Sequence, residues 1–180
     1  MLYKILNKKK FYFSFIFFLL TGCFSERTEG IYPYNAKKDR DFILKKTAED
    51  HFWLIADEAT GYRQQETLDT GIHPFVHVPV HFYLYYKDKK PVAFISYYCD
   101  SSIFANIQFV YVDKDYRRQG IAEKLITFVL DRLRNQGIRS VEICTRLINT
   151  GARSLYEKIG FNYLYDTGKY VYLTYSLHNA

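Results

Sequence analysis

Sulfur and long apolar runs are both scarce in this 180-residue chain, which has one methionine, three cysteines and no apolar stretch of the roughly 20 residues that span a bilayer. A permanent transmembrane helix is therefore disfavoured. Cys99 and Cys144 fall in expected strands that another strand separates, so they read as buried thiols and not as a disulfide. No Gly-Lys-Ser/Thr is present to make a P-loop, and the one glycine-containing turn that opens a helix has a single glycine, too few for a dinucleotide fingerprint. Histidine is sparse as well. His73, His77 and His81 recur at the spacing of metal ligands on a helix, but Pro74 and Pro79 break any helix there, which argues against a metal and for solvent-facing or lid histidines.

What charge there is proves less basic than it first looks. The net charge of +6 includes Lys4, Lys8, Lys9 and Lys10, and without them 21 basic face 19 acidic residues. No aromatic-interleaved basic stripe remains, so nucleic acid is not an expected partner. Hydrophobic and charged fractions of 48% and 24% are those of a globular protein, and the length suits one domain with an appendage.

The appendage is the N-terminus. Basic residues precede an apolar stretch from Phe11 to Gly22, interrupted by Ser14 and Thr21 and followed by Cys23, which is a secretory layout. Leu20-Thr21-Gly22-Cys23 is similar to the bacterial lipoprotein signal, which implies cleavage before Cys23, lipidation of its thiol and a lipid-anchored place in the cell envelope. An uncleaved anchor, or an extension of a cytoplasmic protein, stays open. Residues 1–22 thus read as signal-like, 23–30 as a polar link and 31–178 as the folded domain.

The domain is organised around Val110 to Phe128. Ile107, Phe109, Val110, Tyr111 and Val112 form a run too apolar for a half-solvated edge and predict a central strand. Ile121, Leu125, Phe128, Val129 and Leu133 recur at helical spacing, with one face for the core. Between them, Arg117, Arg118, Gln119, Gly120, Ile121 and Ala122 make a turn in which glycine lets backbone approach a ligand. The helix start offers free amides and partial positive charge, so the turn reads as an anion site.

Arg117-x-x-Gly120-x-Ala122 after a valine-rich strand resembles the coenzyme A pyrophosphate loop of the GNAT superfamily of N-acetyltransferases. Asn149, Ala152, Leu155, Tyr156, Gly160 and Phe161 resemble the superfamily's Asn-x-x-Ala-x-x-Leu-Tyr-x-x-x-Gly-Phe segment in order and spacing. The resemblance implies an α/β (α+β) fold: a mixed, mostly antiparallel sheet of about seven strands, helices on both faces, and strands four and five splayed to hold the pantetheine arm. It implies acetyl-CoA as cosubstrate, an amine as acceptor and no metal. Val110 and Val112 become backbone partners of the acetyl-pantetheine end, Arg117, Arg118, Gln119, Gly120, Ile121 and Ala122 the pyrophosphate loop, Asn149 a contact to the pantetheine arm, and Tyr156 the acid that protonates the leaving thiolate.

Taken in order, the pattern predicts a strand at Ile31 to Tyr34, with Pro33 marking an edge, and a helix over Ala36 to Glu49 capped by Asn35. A second helix is expected from His51 to Ala59 with Phe52, Trp53 and Ile55, then a long loop from Thr60 to Pro79 with at most a turn of helix. A hairpin follows, His81 to Tyr86 and Val92 to Cys99 around Lys87 to Lys90, then the central strand and its helix, ended by Gly137. Val141 to Thr145, a helix over Ala152 to Lys158 ended by Gly160, and a closing pair, Tyr163 to Tyr165 with Tyr170 to Ser176, complete it.

The general base departs from the family pattern. Where many relatives have glutamates in the central strand, this chain has Asn106 and Gln108, neither able to take a proton. Asp100, Glu142, a water beside Tyr97 or Tyr98, or an amine that arrives neutral are the alternatives. The missing carboxylates and exported start also leave a second class of function open, a membrane-anchored GNAT-fold binding module without activity.

Overall fold

The computed structural model describes residues 26–54 and 64–177. Its seven strands form one sheet in the order β1-β2-β3-β4-β5-β7-β6, with β1 Gly30–Pro33, β2 Val80–Lys87, β3 Lys90–Cys99, β4 Phe104–Val112, β5 Ser140–Arg146, β6 Asn162–Asp166 and β7 Tyr170–Ser176. Every neighbouring pair is antiparallel except β4 and β5. The helices are α1 Ala36–Glu49, α2 His51–Leu54, α3 Gln64–Thr70, α4 Ile121–Asn135 and α5 Thr150–Ile159. The mixed sheet and helices on both faces are as expected.

Alternating strand residues supply two separate cores. Tyr83, Ile95, Tyr97, Ile107, Val141 and Ile143 pack against α4 and α5, where Leu125, Ile126, Val129 and Leu133 are buried at helical spacing. On the other face Leu84, Phe94, Phe109 and Tyr111 meet Ile43 of α1 and Leu68 of α3. Truncating a residue such as Leu125, with no exposed surface, costs about 2–5 kcal/mol.

One irregularity positions everything that follows. Ser96 pairs with Phe109 but Tyr97 with Ile107, so Gln108 is an extra residue in β4. This bulge moves Phe109 and Tyr111 to the α1 face although Ile107, two residues before Phe109, faces α4. Beyond it β4 loses β5 as a partner: their parallel pairing runs from Phe104↔Ser140 to Ile107↔Ile143 and stops.

The structure corrects several expectations. Gln64–Thr70, expected within a loop holding at most one turn, is a seven-residue helix whose buried Thr67 and Leu68 face α1 and the sheet. Asn35 sits at the cap of α1 without capping it; its amide instead donates to buried Asp39 at 2.6 Å. The polar link is tied down, because Arg27 donates to both oxygens of Asp39 and Tyr85 donates to Glu29. The β2–β3 turn is two residues, Asp88 and Lys89 at φ 50° and 64°, the left-handed pair that suits a tight hairpin. Of the second expected helix, Ile55 to Ala59 lies outside the described residues, as do the signal-like segment and Cys23.

His73 is not solvent-facing. It is buried, its Nδ1 accepts the amides of Phe75 and Val76, and its ring packs on Tyr98 with centroids 4.6 Å apart. His81 stacks on Tyr97, on the opposite face of the sheet, so these two do not share a site.

Candidate functional site

A cleft of about 860 Å³ opens where β4 and β5 part, within the range typical of small-molecule sites. The Asp113 amide donates to the Val92 carbonyl of β3, which sets the alternation: odd residues of β4 after the bulge turn their backbone toward β3. Even residues, Val110 and Val112, therefore turn theirs toward the edge that β5 has left. Among the described residues this edge has no strand partner, so an extended ligand can complete its ladder inside the cavity.

Below it lies the loop that opens α4. Arg118 at φ 63° and Gly120 at φ 75° are both left-handed, the second at the cap position of α4. Lys124 makes the first backbone bond of this helix, to the Gly120 carbonyl, so the amides of Ile121, Ala122 and Glu123 precede the ladder and carry the helix's partial positive charge.

The two arginines of the loop differ. Arg117 donates Nε to the Val112 carbonyl at 2.9 Å and Nη2 to Asp50 at 2.7 Å, tying the end of β4 to the end of α1. Val112 thus keeps only its amide for a ligand. Arg118 lines the cleft with no ion-pair or hydrogen-bond partner among the described residues. It is the guanidinium available to an anion.

All the residues expected to bind the cosubstrate line this cleft except Gln119, whose side chain accepts from Lys87 outside it. Asn149 lines it while capping α5, its Oδ1 accepting from the Ala152 amide and its Nδ2 donating to Thr145. Tyr156 lines it too, buried and packed against Phe161 at 6.0 Å. Burial, with a smaller contribution from Cys144, raises the Tyr156 phenol above its ordinary value, so it stays a proton donor at neutral pH. Burial also pushes the Cys144 thiol up, to about 11, against a hydrogen bond with Tyr172.

A second chamber of about 190 Å³ adjoins the first and shares Trp53, Leu54, Ile107, Gln108, Ile143, Cys144 and Thr145 with it. The candidate bases separate here. Glu142 and Tyr98 line the chamber, Asp100 lies at the surface accepting from Asn106 at 2.6 Å, and Tyr97 is wholly buried in the core. Burial, then the charge of Asp100, raises the Glu142 carboxyl, and burial pushes Tyr98 up to about 12. Trp53, Cys144 and Lys158 at the cleft, and Tyr172 in the smaller chamber, were not expected. Only Cys144 had a signal, its place two residues after Glu142 on one face of β5.

Residues 47–161 match the model of the acetyltransferase (GNAT) family. Over 51 residues the chain is 39% identical to the [ribosomal protein bS18]-alanine N-acetyltransferase of Escherichia coli strain K12, covering 28% of this chain and 34% of that enzyme. The match therefore spans about a third of that relative's length. Among solved structures, Ard1 of Thermoplasma volcanium is 22% identical with a TM-score of 0.62, covering 83% of this chain and 98% of that one. A GNAT family acetyltransferase of Elizabethkingia anophelis with acetyl-CoA bound is 17% identical with a TM-score of 0.57, covering 82% and 97%. With the family model covering more than half of its residues, and the split sheet and helix-opening loop in place, the chain belongs to the acetyltransferase (GNAT) family.

Proposed function

We propose that the protein transfers an acetyl group from acetyl-CoA to a primary amine by direct attack. The observation that carries this reading is the unpaired edge of β4: Val110 and the Val112 amide lie in a large cleft whose lower end is the Arg118–Gly120 loop and the start of α4. An amide-bearing arm suits the edge, and a diphosphate suits the loop. The acetyl-CoA bound to the Elizabethkingia protein and the alanine acceptor in the name of the Escherichia coli relative support the same reading.

In that reading the edge and the loop hold the thioester still while the amine approaches from the smaller chamber, and positioning supplies much of the rate. The amine nitrogen bonds to the thioester carbon, the carbon–sulfur bond breaks, and the Tyr156 phenol protonates the departing thiolate. The nitrogen's surplus proton restores the phenol. Titration calorimetry with acetyl-CoA, followed by thiol release over a panel of amines, tests the reading. Binding with amine-dependent release is expected. Binding without release from any amine leaves an inactive binding module, and no binding overturns the assignment.

The N-terminal pattern ending at Cys23 supports a lipid-anchored location at the cell envelope. An intact mass of the protein from cells showing a free Met1 and no lipid would remove that location.

A further inference from the structure

The smaller chamber differs in chemistry from the cleft it adjoins. Among the described residues its one carboxylate is Glu142, which makes no hydrogen bond or ion pair with them, whereas nearby Asp100 is occupied by Asn106. The one cation among its described residues, Arg146, is already engaged: the guanidinium lies 3.8 Å over the Phe52 ring and Nε donates to the Phe52 carbonyl. The remaining wall has three aromatic rings, Trp53, Tyr98 and Tyr172, among aliphatic residues and the polar Asn106, Gln108 and Thr145. Each ring continues outward in a pair, Trp53 with Phe52 at 5.0 Å, Tyr98 with His73 at 4.6 Å, and Tyr172 with Tyr165 stacked at 4.4 Å. Phe52, Trp53 and Tyr165 are each 46% exposed, so the apolar surface runs from the chamber onto its rim.

Size and charge narrow what fits. A cavity of about 150 Å³ holds a benzene ring, so roughly 190 Å³ admits one ring and a short amine-bearing chain. A single carboxylate balances a single ammonium, and the fixed charge of Arg146 opposes a second. Aromatic faces attract a desolvated ammonium and pack against a ring.

We propose that the acceptor is a small aromatic monoamine, its ammonium held by Glu142 among Tyr98, Tyr172 and Trp53, and that Glu142 takes the proton the ammonium must lose before it attacks. This deepens the proposed function and rests on it. The proton passes from nitrogen to the Glu142 carboxylate and then to water, the freed lone pair forms the carbon–nitrogen bond, sulfur leaves with the proton from Tyr156, and the surplus proton left on the acylated nitrogen restores the phenol. The sum is amide, free thiol and one proton released. Burial raises the Glu142 carboxyl, which brings its basicity nearer to what accepting that proton requires.

The test compares phenethylamine, spermidine and kanamycin as acceptors for the wild-type protein, Glu142→Gln and Tyr172→Ala. Phenethylamine is expected to give a kcat/KM at least about tenfold above the two polycations. Glu142→Gln should lower it on the order of 10²-fold. Tyr172→Ala should raise KM several-fold with little change in kcat. Both variants should bind acetyl-CoA within about twofold of wild type, which controls for folding. A preference for spermidine or kanamycin, or an undiminished Glu142→Gln, overturns the inference. If acetyl-CoA binds and phenethylamine is not acetylated, this inference alone fails. If acetyl-CoA does not bind, the proposed function fails first.

Discussion

Ile107 and Ile143 stand where two chambers meet, and the chambers are built on opposite principles. The larger one joins a strand edge and a helix start, both from the contiguous run Val110 to Ala122, with residues of β5 and α5. Its sequence requirements are local, a valine-rich strand and a glycine at φ 75°. The smaller one is made of side chains, Trp53 from α2, Tyr98 from β3, Glu142 from β5 and Tyr172 from β7. Nothing in the spacing of those four residues marks them as neighbours. In the proposed reading, the surface that grips the cosubstrate is written largely in one stretch, and the one that would select the acceptor is assembled from many.

The comparison can be broken by substitutions that ought to affect only one chamber. Tyr156→Phe keeps the ring packing on Phe161 and removes the acid, so kcat should fall by about 10²–10⁴ while acetyl-CoA affinity holds. Rates by thiol release and affinity by calorimetry separate these. An unchanged kcat would show that Tyr156 only packs. Arg118→Ala removes the loop's guanidinium that has no partner among the described residues and should weaken acetyl-CoA roughly tenfold, since a charge-assisted hydrogen bond contributes about 1.5–3 kcal/mol and an exposed one falls at the low end.

Gly120→Ala forces a Cβ into left-handed backbone at a cost of about 1–2 kcal/mol, weakening acetyl-CoA by up to about fivefold to thirtyfold even though the added methyl would meet nothing within 4 Å. Asp50→Asn should do less. It loosens Arg117 from α1 without removing a ligand contact, so a few-fold change in acetyl-CoA affinity is expected, and a larger loss would mean that the α1 end positions the loop.

The smallest effect expected is one of pH on stability. Burial, the largest cause, lowers the pKa of His73, while Asp100 opposes and His77 reinforces the shift. The unfolded chain then binds the proton more readily than the folded one. Stability from this residue is full above the unfolded pKa, about 6.5, and declines as pH falls below it. Melting temperatures between pH 7.5 and 5 should fall, and less steeply in His73→Asn. Equal slopes would remove His73 as the cause.

How far each feature could be read depended on the range of the interactions that make it. Strand and helix periodicity located β2 to β5, α4 and α5 to within a few residues, because each of these elements buries a regular stripe. Gly160 at φ 112° ends α5 as its glycine indicates. Gln64–Thr70 was missed because a helix this short buries too few residues to show a stripe, and its fold is fixed by α1 and the sheet. The bulge at Gln108 has no local mark, since the alternation of buried residues continues unbroken through it while the face they point to changes. Arg117 and Arg118 are adjacent and alike in sequence, and only the position of Asp50 decides which of them is occupied.

By itself the sequence determined the family, and it located the glycine turn that opens α4 and the segment from Asn149 to Phe161, because each depends on residues close together in the chain. Tertiary structure alone decided where β4 and β5 separate, that Val112 shares its carbonyl with Arg117, and that Glu142 lines one chamber with Trp53, Tyr98 and Tyr172. These depend on the register between strands distant in sequence, and register is set by the packing of the whole sheet and not by any one segment.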